Sequence, residues 1–244
     1  MWETFIDNRL YPTYIFEFMA AMAGMAYLIV NKENNRTDKL IVFSLCFIFI
    51  IDLSAITYGL YGYVYDYKYV EFLKDTPFKG IYWIYNILIL ITNSLYAVYF
   101  LWQLRSRVWK KLIWGLIGGY ILSSIIYYAI SDVFFDTTSA FTYISGAFLT
   151  CIAIAGYYLE LLSTNRILNF RNELALYISV GLLIYQLAFT PLFFFQRYIR
   201  VDNEFGDVYG LILDTSNLFM YSVFTIGFIR KIVELKKIRQ IASG

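Results

Sequence analysis

Three carboxylic acids stand inside otherwise apolar sequence: Glu17, Asp52 and Asp214. A fourth, Glu160, closes another apolar run. Ionisable groups in such surroundings are costly and mark functional candidates. No Lys or Arg shares their stretches, so Glu17 and Asp52 are expected to be protonated, hydrated or holding a cation. Four amides accompany them: Asn86, Asn93, Gln186 and Asn217. Asn86 and Asn93 are close to two helical turns apart and so share one helix face. Together Glu17, Asp52, Asn93, Gln186 and Asn217 describe a polar pocket able to hold a proton, a cation or a small ligand. The competing reading for the amides is hydrogen bonding between helices. Asp214 has Arg197 and Arg200 as candidate partners, and Glu160 has Arg166.

The chain has no histidine. Zinc hydrolases, haem carriers and Ser/His hydrolases rely on imidazole as ligand or base. Carboxylates alone remain for acid–base work, and Asp52 and Asp214 are expected at different depths, so an aspartyl pair is not expected either. No enzyme activity, cofactor, metal site or nucleic-acid partner is therefore expected. The segment Leu213-Asp214-Thr215-Ser216-Asn217 faintly resembles the last helix of microbial rhodopsins. That family carries its retinal lysine four residues after the aspartate. Leu218 occupies that position here, so the resemblance implies no Schiff base.

The elements that must position these groups are seven apolar stretches, at 11–30, 40–63, 81–104, 112–131, 144–162, 174–195 and 211–229. About 20 apolar residues span the hydrocarbon core as a helix, and only helices or closed barrels satisfy their backbone there. Apolar residues make up 60 % of the chain and charged residues 16 %, against about 25 % in soluble domains. The fold class expected is all-α, a polytopic seven-transmembrane-helix bundle forming one domain over 1–244. Fourteen of the 20 Lys and Arg fall on the side that includes 105–111 and the tail 230–239. The N-terminus is therefore expected outside and the C-terminus in the cytoplasm of a multi-pass cell-membrane protein. The first span reads as an uncleaved anchor. The Asn35-Arg36-Thr37 sequon then lies where glycosylation cannot reach it.

Cys46 and Cys151 fall within spans and read as small core residues rather than a disulfide. Tyr61, Tyr63, Tyr65, Tyr67 and Tyr69 alternate, which predicts an extended segment with one aromatic face, a lid or docking surface; the alternative is an interfacial belt. Gly115, Gly119 and Ser123 recur every fourth residue, with Gly118 beside them, which suits close helix approach within the bundle or to another chain. Pro191 predicts a kink in the sixth span. The tail, with Arg230, Lys231, Lys236 and Lys237, interleaves basic and apolar residues and suits a protein partner or anionic lipid.

Spans one to three can be laid over spans five to seven. Thr13-Tyr14-Ile15 then matches Thr142-Tyr143-Ile144, Asp52 matches Gln186, and Asn93 matches Asn217. Both halves would point the same way, the parallel-repeat plan of some transporters. SWEET-type sugar transporters share this three-plus-one-plus-three plan, but their wider group's Pro-Gln pair is missing here. Two functions follow as expectations. The first is a non-enzymatic sensor or membrane-complex subunit that acts through a partner chain or homo-oligomer in the lipid bilayer. The alternative is a small proton- or cation-coupled transporter using Glu17 and Asp52.

Overall fold

The computed structural model describes residues 11–31, 35–164, 170, 172–194 and 203–243. Among these residues there are seven long helices and no strand. They are α1 (Tyr11–Val30), α2 (Arg36–Tyr65), α3 (Tyr82–Gln103), α4 (Arg107–Ile130), α5 (Ala140–Leu162), α6 (Leu174–Phe194) and α7 (Asn203–Ser243). Six of them, α1 to α6, are long and apolar enough to cross a membrane. The chain is thus an all-helical, multi-pass membrane bundle. The seventh apolar stretch lies inside α7, a helix of 41 residues that continues through the basic tail.

Each helix buries one face. On α1 the buried residues Glu17, Ala20, Ala21, Gly24 and Tyr27 follow the helical repeat. Its other side exposes Phe18, Met19, Met22, Met25 and Ile29, an apolar surface suited to lipid. Neighbouring helices close a ring in the order α1, α2, α3, α5, α6, α7 and back to α1. The fourth helix stands outside this ring, packed on α3 and α5 through Ile113, Ile117, Tyr120 and Ser124.

The tight helix contacts are made at glycines other than the evenly spaced ones. A Cβ on Gly227 would stand 2.6 Å from Tyr177 Cβ, and one on Gly181 would stand 2.7 Å from the Phe224 ring and 3.1 Å from the Met220 carbonyl. These two positions bring α6 and α7 together. By contrast, Gly115, Gly118 and Gly119 are exposed and have nothing within 4 Å of an added Cβ. The α4 glycine face therefore makes no contact within the bundle.

The distal end, opposite the start of α1, is tied by polar side chains. Tyr27 donates to Asp38 at 2.7 Å, and Asn31 donates to the Tyr27 hydroxyl at 3.0 Å, joining α1 to α2. Glu160 accepts the backbone N–H groups of Arg105 (2.5 Å) and Ser106 (3.1 Å). It thus holds the α3–α4 corner, where the free N–H groups of a helix start favour a carboxylate. The expected partner Arg166 lies outside the described residues, as do Arg197 and Arg200.

At the proximal end the alternating tyrosines do not form an extended segment. Tyr61, Tyr63 and Tyr65 belong to α2, and the chain then reverses at Asp66 and Tyr67, both left-handed (φ 46° and 57°). The reversal folds the Tyr67 ring back against Tyr58 and Tyr61, with centroids 5.9 and 6.4 Å apart. A Cβ on Gly62 would stand 2.4 Å from the tip of that ring, so glycine there leaves room for the ring as it lies. Period two here is a coincidence of a helix end and a tight turn. Pro191 sits inside α6 near its end, and the described residues around it are helical. Cys46 and Cys151 are free.

Candidate functional site

The ring of six helices encloses a cavity of about 420 Å³ in its proximal half. Thr13, Tyr14 and Glu17 face it from α1, and Ile48, Asp52 and Ile56 from α2. The α3 helix adds Tyr85, Leu88, Ile89, Thr92, Asn93 and Tyr96, one turn above another. Tyr143 comes from α5, Leu182, Tyr185, Gln186, Phe189 and Phe193 from α6, and Tyr209, Leu213, Asp214, Asn217, Met220 and Tyr221 from α7. All five residues expected to line a polar pocket, Glu17, Asp52, Asn93, Gln186 and Asn217, are thus brought to one space.

Glu17 is 1 % exposed. Its Oε1 accepts the Tyr221 hydroxyl at 2.8 Å, which pins the carboxyl of α1 to α7. Its Oε2 is buried without a hydrogen-bond partner. Asp52, half-buried on the neighbouring α2, interacts with Tyr85, and Tyr85 in turn with Tyr14. Both carboxyl groups line the same cavity. Thr92 Oγ1 is the second buried cavity atom without a partner. Other hydroxyls in the helices, such as Ser44, Ser54, Ser94 and Thr225, donate to the carbonyl one turn back. Thr92 does not.

Asn93 and Gln186 form a second polar cluster. Tyr143 donates to Gln186 Oε1 at 3.0 Å, and Gln186 Nε2 donates to Asn93 Oδ1 at 3.2 Å. Thr150 adds a donor to the same Asn93 oxygen at 3.3 Å, while Asn93 Nδ2 turns to the Ile89 carbonyl at 3.0 Å. This network joins α3, α5 and α6, so the amides serve the interhelical role as well as facing the cavity. Gly146 makes the junction possible: a Cβ there would lie 2.7 Å from Asn93 and from the Tyr120 hydroxyl.

Asn86, on the same face of α3, does something else. Its Nδ2 donates to the Phe134 and Thr137 carbonyls at 3.0 and 2.9 Å, and its Oδ1 accepts the Ser139 N–H at 2.8 Å. It organises the turn before α5 and leaves the cavity to Asn93. Asp214 is exposed and accepts the Thr13 hydroxyl at 3.3 Å. Of the tail residues, Arg230 donates to the Tyr177 hydroxyl at 2.6 Å and Lys231 pairs with Glu234 at 2.9 Å, whereas Lys236 and Lys237 are exposed.

The aromatic wall was not anticipated. Tyr143 stacks on Phe193 with centroids 4.1 Å apart, and Phe189 meets both edge-on at 5.2 Å. A usable signal existed in the spacing. Tyr14 precedes Glu17, and Tyr96 follows Asn93, by one helical turn, so each shares its face. The residues matched between the two three-helix halves also meet here: Tyr14 and Tyr143, Asp52 and Gln186, Asn93 and Asn217 all line the cavity. One turn before them, Ile48 and Leu182, and Ile89 and Leu213, do the same.

Comparison of the chain with known protein families, curated proteins and solved structures found no match.

Proposed function

We propose that this chain is a non-enzymatic seven-helix membrane sensor or membrane-complex subunit whose cavity takes a small ligand and whose output passes through a partner chain. The observation that carries the reading is the cavity itself. Its volume is within the range of small-molecule sites, about 300–1,000 Å³, and it converges a few polar groups among aromatic walls. The missing histidine supports a binding rather than a catalytic role. In this reading α7 is the seventh crossing, and the charge distribution puts the cavity towards the outside and the helical tail with Lys236 and Lys237 in the cytoplasm. That tail, together with the exposed α4 glycine face, is the surface left for a partner, a second copy or anionic lipid.

A second reading, a proton- or cation-coupled transporter, is favoured by one observation: equivalent positions of two three-helix halves line the same cavity. The experiment that separates them is affinity purification in mild detergent followed by reconstitution. A stoichiometric partner that survives purification supports the sensor or subunit. A lone chain that moves solute into liposomes supports the transporter and removes the first reading.

A further inference from the structure

We propose that the ligand of the cavity is a small organic cation, its ammonium group held by Glu17 and Asp52 and its body laid against the tyrosine and phenylalanine wall. This rests on the reading of the cavity as a ligand site. The argument begins at Glu17 Oε2, which is buried, belongs to a residue lining the cavity and has no partner. If ionised, that oxygen is an uncompensated charge at membrane depth. If protonated, its O–H makes no hydrogen bond in this arrangement, and a buried unmade hydrogen bond is itself costly. A group supplied from the cavity resolves either case.

The chemistry of that group follows from its surroundings. Asp52 and the more exposed Asp214 bring further carboxyl groups to the same cavity, and among the described residues no basic side chain lines it. A neutral ligand would leave these acids uncompensated, whereas an ammonium supplies both the charge and the N–H donors. The volume exceeds what a bare metal ion occupies, and Tyr14, Tyr85 and Tyr96 line the cavity together with the acids. Aromatic faces attract cations, most strongly where both are desolvated. Asn93 and Gln186 are tied to one another, so they confine the body of the ligand rather than its charge.

The test uses the full chain in lipid nanodiscs and three probes: phenethylammonium, tetraethylammonium and the neutral near-isostere 2-phenylethanol. Affinity is read by calorimetry and thermal shift. The expected result is binding of at least one ammonium probe, with the alcohol tenfold weaker or more. Glu17→Gln keeps the acceptor for Tyr221 and removes the charge. It should weaken the bound ammonium by about tenfold to a hundredfold, as loss of a charge-assisted hydrogen bond does. Asp52→Asn should weaken it in the same direction. Failure of both ammonium probes to bind at millimolar concentration, or wild-type affinity in both variants, would overturn the inference. Alcohol binding as tight as the ammonium would also overturn it, yet would leave the cavity standing as a ligand site. That comparison is made on the unaltered chain and holds even if a variant fails to fold.

Discussion

Gly227→Ala should destabilise the bundle although alanine is the better helix former. The added methyl would be placed 2.6 Å from Tyr177 Cβ and 2.9 Å from Tyr177 Cγ, where carbon atoms normally stand about 3.5–4.0 Å apart. A Cβ is fixed to its backbone, so relief requires α6 and α7 to separate by about 1 Å over their shared face rather than a side chain to rotate. Overpacking of this kind costs about 1–3 kcal/mol, and the gain in helix propensity returns at most about 1 kcal/mol. The net loss expected is about 1–2 kcal/mol. Gly119→Ala is the matched control, because nothing lies within 4 Å of its new methyl. It should be neutral or stabilise by up to about 1 kcal/mol. Thermal unfolding of both variants in one detergent at one scan rate reads the difference, since the melting of membrane bundles is often kinetically limited. Stability of Gly227→Ala equal to the parent would refute the packing argument. A loss at Gly119 instead would show that another chain covers the α4 face.

Glu160→Gln leaves one acceptor oxygen where two N–H groups are held, and should cost about 1–3 kcal/mol in thermal or denaturant unfolding. Tyr221→Phe strips the remaining partner from Glu17 Oε1; the expected loss is of similar size, and it should shrink in Tyr221→Phe/Glu17→Leu, where no buried acid is left unpaired. Asn86→Ala should loosen the turn before α5, seen as faster amide exchange at 133–139 with the cavity residues unaffected. For orientation, a cysteine placed at Ser243 should resist a membrane-impermeant thiol reagent in intact cells, and labelling there would reverse the assigned topology.

The apolar stretches of the sequence locate the helices well because twenty residues without charge have few other ways to fold. The same logic found the cavity acids: a carboxyl in an apolar run is expensive enough to need a reason, and the reason, facing the ring interior, is common to Glu17 and Asp52. It was weaker where one residue type serves several ends. Tyrosine belongs equally to membrane interfaces and to cavity walls, so composition alone could not divide Tyr63, which is exposed, from Tyr96, which is buried. Glycine spacing misled for a related reason. Regular spacing along one helix says that a close approach is possible, but Gly146, Gly181 and Gly227 are each required by a neighbour on another helix, which no spacing within one helix reveals. Glu160 belongs to the same class, since its partners are backbone N–H groups more than fifty positions away.

Laid over one another as the sequence suggests, the two three-helix halves carry different charges at matched positions of the cavity lining. Asp52 interacts with a tyrosine of α3, while its counterpart Gln186 accepts from a tyrosine of α5. Tyr14 and Tyr143 occupy equivalent places, yet one half carries Glu17 and the other carries Gly146, whose missing side chain lets Asn93 approach. A cavity built from two identical halves would present the same pole twice and would hold a cation equally at either. Here Glu17 and Asp52 lie on the adjacent α1 and α2, Asp214 on α7, and the mutually bonded amides Asn93 and Gln186 on α3 and α6, so a ligand with one charged end meets different chemistry on different walls. Converting Gln186 to Glu tests this directly. An added acid on α6 should weaken discrimination between a monocation and a dication such as 1,4-diammoniobutane, shifting preference towards the dication. An unchanged preference would mean that the amide pair does not touch the ligand, and that orientation is set by Glu17 and Asp52 alone.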